Sequence, residues 1–258
     1  RMCGIALFFH SHDNDSSYPA DTEKLRRRGP DSYREIIVKN TKFAAAVLHI
    51  QGSMIVEQPY VDKSSGDVLL WNGEVFGGIE IGKGQSDTVV VSSTLSLAMD
   101  SCSSGSEMSS FDMITSALAK IEGPYAFIFY HAKSDRIIYG RDPFGRRSLV
   151  SLRARSDGKK EQSSKEVDLG LGSILGLCSV CPDDRYVCQE VGIGGLYLTS
   201  LTAEHETERE HHFLPWPASR TTLGRIMPAD ESKSDSSILG GSPAARLLEA
   251  LRSSITRR

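Results

Sequence analysis

Two helical patterns stand side by side in the middle of this chain, with short strand-like runs before and after them. Asp87–Met99 carries Val89, Val90, Leu95, Leu97 and Ala98 on a wide apolar face. Phe111–Ile121 repeats Met113, Ile114, Ala117, Leu118 and Ile121 at helical spacing. Ahead of them Cys3–Phe9, Glu35–Lys39, Phe43–Ile50 and Val68–Trp71 are apolar or β-branched runs of strand length. Behind them Tyr125–Tyr130 and Arg136–Tyr139 flank the polar turn His131–Asp135. Leu149–Leu152, Leu169–Leu175 and Gly195–Leu201 follow as further strands. Strands, then two helices, then strands predict an α+β layered domain rather than alternating units of a parallel sheet. Asp21–Arg28 predicts a short helix stopped by Gly29-Pro30. Ser11–Ala20, Ser101–Ser110 and Arg155–Glu166 predict loops.

This pattern covers residues 2–201, which are expected to form one domain. Residues 202–243 are expected to be a linker, with Thr221–Ser242 rich in Ser and Gly. Residues 244–258 then turn helical, with Ala245, Leu248, Leu251 and Ile255 on one face of Ala244–Ile255. That face wants a partner surface: either the rest of a further domain that begins here, or the first domain itself. Apolar residues at 39% and charged residues at 24% place the chain among globular proteins. A net charge of −3 gives no general attraction to nucleic acid or to an acidic membrane. No apolar run is long enough to span a bilayer. Five cysteines are odd in number and too sparse for a secreted disulfide scaffold, so a reducing, cytoplasmic setting is expected. Cys178 and Cys181 have C-x-x-C spacing, with Cys188 nearby; an incomplete zinc set and ordinary thiols are the two readings.

The chemistry points to the amino end, Met2-Cys3-Gly4-Ile5. A thiol reacts as the thiolate and needs a base nearby. A cysteine at a chain terminus carries one in its own α-amine, whose pKa is about 7.7–8.0. Cys3 follows Arg1 and Met2, so this mechanism requires that both be removed; otherwise a cysteine beginning a strand is an ordinary core residue. Asn72-Gly73 after a strand is either a hairpin turn or a pair of donors, amide and backbone N–H, aimed at a developing oxyanion. Asp87 at a helix start is either a cap or a carboxylate for a substrate ammonium. Arg141-Asp142 is expected to be a salt-bridged turn supporting the site.

Met-Cys-Gly-Ile, Arg28-Gly29-Pro30-Asp31, Trp71-Asn72-Gly73-Glu74-Val75-Phe76, Ser86-Asp87-Thr88 and Gly140-Arg141-Asp142-Pro143-Phe144-Gly145, in this order, resemble the class II glutamine amidotransferase domain of asparagine synthetases. Val47-Leu48-His49-Ile50-Gln51-Gly52 and Gly145-Arg146-Arg147-Ser148-Leu149 narrow the resemblance to the asparagine synthetase domain-containing proteins. The resemblance implies a four-layer αββα sandwich of the N-terminal nucleophile hydrolase type. It implies Cys3 as nucleophile, Asn72 and Gly73 as oxyanion hole, and Gly73, Glu74 and Asp87 as holders of the glutamine α-amino group. Glutamine would yield glutamate and ammonia for asparagine biosynthesis. ATP and magnesium would be needed only by a synthetase domain, whose Ser-Gly-Gly-x-Asp-Ser segment is missing here, so no cofactor is expected in this chain. Val47 stands where the family pattern carries an arginine that clamps the substrate carboxylate, and Arg28 or His49 are the substitutes considered. Two alternatives follow from that departure: an impaired domain kept as a binding or scaffold module, and a terminal-nucleophile hydrolase acting on another amide.

Overall fold

The computed structural model describes residues 2–9, 22–39, 41–101, 107–154, 174–182, 184, 186–201 and 211–217. The predicted helix over Ala244–Ile255 and most of the predicted linker lie outside them, as do the loops Ser11–Ala20 and Arg155–Glu166.

Among the described residues, twelve strands form two antiparallel sheets. The first sheet contains β1 (Gly4–Phe9), β2 (Ser32–Val38), β3 (Thr41–Val47), β8 (Val150–Ala154), β9 (Gly176–Cys178) and β10 (Tyr186–Glu190), in the order β10-β8-β9-β1-β3-β2. The second contains β4 (Tyr60–Val61), β5 (Val68–Gly73), β6 (Tyr125–His131), β7 (Arg136–Arg141), β11 (Gly195–Ser200) and β12 (His211–Pro215), in the order β12-β11-β7-β6-β5-β4. Helices α2 (Asp87–Asp100) and α3 (Glu107–Lys120) cover the second sheet, and the four-residue α1 (Glu23–Arg26) covers the first. The protein is therefore an αββα sandwich, with one helical layer much thinner than the other.

Period-two alternation builds the layers. Along β6, Tyr125, Phe127 and Phe129 turn toward the helices, whereas Ala126, Ile128 and Tyr130 turn toward the other sheet. In β5, Leu69 and Trp71 join the first set, while Val68 and Leu70 join the second. Ile5, Leu7 and Phe9 of β1 meet them between the sheets, and Ala6 and Phe8 turn outward to Leu25 of α1. Both faces of β1 and β6 are thus buried, which explains their unbroken apolar runs.

The helix α3 starts at Glu107, inside the segment expected to be a serine-rich loop. His211–Pro215, placed in the linker on composition, pairs with β11 as an edge strand. Asn72 and Gly73 do not form a hairpin turn: they end β5, opposite Ala126 and Tyr125. Cys181 and Cys188 are joined by a disulfide rather than being separate thiols, which removes the C-x-x-C pair as a joint ligand set. No described helix is long and apolar enough to cross a membrane.

Candidate active site

Three of the five segments singled out in the sequence, at Met2-Cys3, Trp71-Asn72-Gly73-Glu74 and Ser86-Asp87-Thr88, line one pocket where the amino end of β1 meets the carboxyl end of β5 and the amino end of α2; Arg28–Asp31 and Gly140–Gly145 support it from outside. Arg28-Gly29-Pro30-Asp31 acts as a clamp. Arg28 Nε donates to the Cys3 carbonyl at 3.1 Å. A Cβ on Gly29 would lie 2.2 Å from the Ala46 carbonyl oxygen, so only glycine lets this loop pass so close to β3. The Asp31 N–H donates to the Val47 carbonyl at 3.0 Å. Asp31 Oδ2 in turn accepts from the His49 N–H at 2.8 Å. The loop after β3 is thereby held against Cys3, whose Sγ accepts from the Leu48 N–H at 3.4 Å.

Asp87 is the first residue of α2, preceded by Ser86. It is not a simple cap. Its Oδ2 accepts from Trp71 Nε1 at 3.1 Å and its Oδ1 from the Thr88 N–H at 2.8 Å. Burial pushes its carboxyl pKa up; the bonds from Trp71 and from the Thr88 and Val75 backbone hold it back. Trp71 lies stacked on Tyr125 with ring centroids 5.3 Å apart, so the strand pair β5–β6 fixes the donor that fixes the carboxylate. Gly73 is required for space: a Cβ there would come within 2.7 Å of Tyr125 Cβ and 2.8 Å of the Trp71 ring.

These pieces line a pocket of about 40 Å³ that is partly open to solvent. Met2, Cys3, Val47, His49, Gln58, Asn72, Gly73, Glu74, Asp87 and Arg147 are among its walls. All the residues singled out as site candidates, Cys3, Asn72, Gly73, Glu74 and Asp87, line it together. Val47 lines it too, and it is almost fully buried. Arg28, one substitute considered for the missing arginine, does not; His49 does. Asn72 is 1% exposed, and its Nδ2 finds no hydrogen-bond partner among the described residues. A buried amide left unpaired is costly unless something else is to occupy it.

Two residues were not found by sequence reasoning. Gln58 Oε1 accepts from the Trp71 N–H at 2.7 Å and holds the edge of β5. Arg147 was seen only as part of a resemblance motif, yet its guanidinium enters the cavity and pairs with Glu74 at 2.7 Å. The expected Arg141–Asp142 salt bridge is replaced by two others. Arg141 pairs with Glu190 at 3.2 Å, and the fully buried Asp142 pairs with Arg146 at 3.0 Å.

Burial pushes the Cys3 thiol up, with the Leu48 N–H and the charges of Arg147 and Arg28 opposing it. While Met2 precedes it, alkylation of Cys3 is expected to rise with pH to a midpoint above about 8.5, the ordinary thiol value. Peptide-level mass spectrometry of iodoacetamide labelling reads this directly; a midpoint at or below neutrality would contradict it.

Comparison with known proteins places this arrangement. The asparagine synthetase domain-containing protein 1 of Mus musculus is 37% identical over 156 residues, covering 58% of this chain and 23% of that protein. Its Gallus gallus counterpart is 34% identical over 211 residues, covering 78% of this chain and 29% of that protein. The chain thus spans about a quarter of the length of these relatives. Among solved structures, glutamine phosphoribosylpyrophosphate amidotransferase from B. subtilis matches 83% of this chain and 50% of its own, with a TM-score of 0.53 at 16% identity, which is a likeness of fold. The family described as glutamine amidotransferase domain matches residues 2–166, a span that contains all five segments and every residue that lines the cavity. On that match, the chain belongs to the glutamine amidotransferase domain family.

Proposed function

We propose that this domain hydrolyses glutamine to glutamate and ammonia with Cys3 as nucleophile, once residues 1 and 2 are removed. The observation that carries the reading is the buried, unpartnered amide of Asn72 in the wall of the cavity that Cys3 also lines. The freed α-amine accepts the thiol proton, and Sγ attacks the carbon of the glutamine side-chain amide. The amide oxygen becomes an oxyanion, held by the Asn72 amide and the Gly73 N–H. The C–N bond then breaks. The amine returns its proton to the leaving nitrogen, giving ammonia and a γ-glutamyl thioester. Water, losing a proton to the same amine, cleaves the thioester to glutamate and restores the thiol. Glu74 and Asp87 hold the glutamine ammonium.

The names of the relatives favour a synthetase domain as the ammonia acceptor, with asparagine as product; the helix predicted from sequence over Ala244–Ile255 would be its first element. The cytoplasm as location rests on composition alone. A second reading, a retired site kept for binding, is favoured by apolar Val47 in the cavity wall and by Met2 beside Cys3.

The deciding experiment is glutamate release from glutamine by the chain beginning at Cys3, beside its Cys3→Ala form. Release that disappears in the alanine form supports hydrolysis. No release from a chain whose mass shows a free Cys3 amine would leave the binding module as the function.

A further inference from the structure

A zwitterionic amino acid brings a carboxylate as well as an ammonium, and Val47 can hold neither. One fixed cation does enter the cavity. The Arg147 guanidinium has three nitrogens in different states. Nη2 is bonded to Glu74 Oε1 at 2.7 Å, Nη1 lies 2.9 Å from Met2 Sδ, and Nε is buried with no partner among the described residues. A thioether is a weak acceptor for a guanidinium. Met2 therefore leaves Arg147 short of acceptors, and loss of Met2 leaves it shorter still.

The placement is rigid. Arg147 follows the turn after β7, where Asp142 accepts from the Phe144 and Arg146 N–H groups at 3.0 and 3.1 Å. Arg141 Nε donates to the Arg147 carbonyl at 2.8 Å. A guanidinium on so constrained a backbone gives up little freedom on binding.

The position also fits. Arg147 and Glu74 line both the cavity and a wider groove beside it, formed with Gln51, Phe76 and Pro124. Their side chains are partly exposed, at 16% and 21%, whereas Asn72 is sealed. A glutamine with its amide against Cys3 and Asn72 would reach outward with its charged end toward the Arg147–Glu74 pair. The pair offers one charge of each sign to a group carrying one of each.

We propose that Arg147, from the β7–β8 turn, binds the α-carboxylate of the amino-acid substrate, and that the Met2 side chain occupies this position until it is removed. The carboxylate would take up Nη1, the nitrogen that Met2 Sδ now faces, while Nη2 stays on Glu74. This rests on the glutamine reading for the identity of the substrate, but not on hydrolysis.

The test is calorimetric binding to the chain that begins at position 3 with Cys3→Ala, which removes turnover. The ligands are glutamine and glutaminamide, in which the α-carboxylate is a neutral amide. Arg147→Met keeps the apolar stem and Arg147→Lys keeps the charge; thermal melts confirm that both remain folded. Glutamine is expected to bind at least about tenfold tighter than glutaminamide. Arg147→Met should erase that preference by weakening glutamine alone, and Arg147→Lys should restore part of it. Equal weakening of both ligands by Arg147→Met, no weakening of either, or no glutamine binding at all would overturn the assignment. In the chain that begins at position 3 and keeps Cys3, glutamate release that persists unchanged in Arg147→Met would also overturn it while leaving the hydrolysis reading intact. Arg147-dependent binding without release would do the reverse.

Discussion

Asn72→Ala, in the chain beginning at Cys3, is expected to lower kcat for glutamine hydrolysis by about 10²–10³-fold with little change in KM. The reason lies in what the amide does at each stage. In the free protein its Nδ2 is buried and has no partner among the described residues. A ground-state amide oxygen is a modest acceptor, whereas the tetrahedral oxyanion carries a full charge in a site from which water is largely excluded. The donor therefore favours the transition state far more than the substrate, and its loss falls on kcat. Asn72 is fixed because its neighbours are: β5 pairs with β6 through Asn72 and Ala126, and Trp71 beside it is locked by Gln58 and Tyr125. Steady-state kinetics of the two forms decide the matter. An equal rise in KM and fall in kcat/KM at constant kcat would assign Asn72 to substrate binding instead.

Trp71→Ala is expected to destabilise the fold by about 3–5 kcal/mol, the usual result of removing a large buried aromatic side chain. That corresponds to a melting temperature roughly 6–20 °C lower in a domain of this size. Trp71 is 1% exposed and sits in the cluster that joins the second sheet to α2 and α3. Trp71→Phe separates packing from chemistry, since the ring stays and only the Nε1 donor to Asp87 goes. That bond lowers the Asp87 pKa against the upward push of burial, so removing it raises the pKa further. The carboxylate form then begins to be lost at a higher pH as the solution is acidified. If Asp87 holds the substrate ammonium, kcat/KM of Trp71→Phe should fall away on the acid side at a higher pH than in the unsubstituted chain. Superimposable acid limbs would separate Asp87 from substrate binding.

Much of the fold was legible because burial leaves a pattern. β1, β3, β5, β6, β7 and β11 lie inside the sheets, and α2 and α3 pack on one of them, so each carries the apolar spacing of its element. Among the described strands, β4, β10 and β12 were missed and are edges, while the interior β9 lies just past the predicted strand Leu169–Leu175. β10 and β12 end their sheets. Tyr186–Glu190 is mostly exposed, and His211–Pro215 combines two histidines with a proline. An edge strand needs only one paired side, tolerates proline and is often polar, so it resembles a loop in sequence. The early start of α3 was hidden by serines, which prefer turns when nothing packs against them.

The site divides along the same line. The order of residues in the chain suffices to mark Cys3, Asn72, Gly73, Glu74 and Asp87 as candidates, because each belongs to a short segment with a chemical reason for its spacing. It also shows that valine, not arginine, stands at position 47. Only the packing of two sheets against each other brings these segments, up to 84 residues apart between Cys3 and Asp87, to one cavity. Only packing shows that Asn72-Gly73 ends a strand rather than turning a hairpin, since that depends on which strand lies opposite. Arg147 could not be placed by spacing at all. It reaches the cavity because the Asp142-centred turn aims it there: local bonds from the Arg146 N–H to Asp142 and from Arg141 to the Arg147 carbonyl shape the turn, and the Tyr125 N–H bond to Asp142 anchors it to β6.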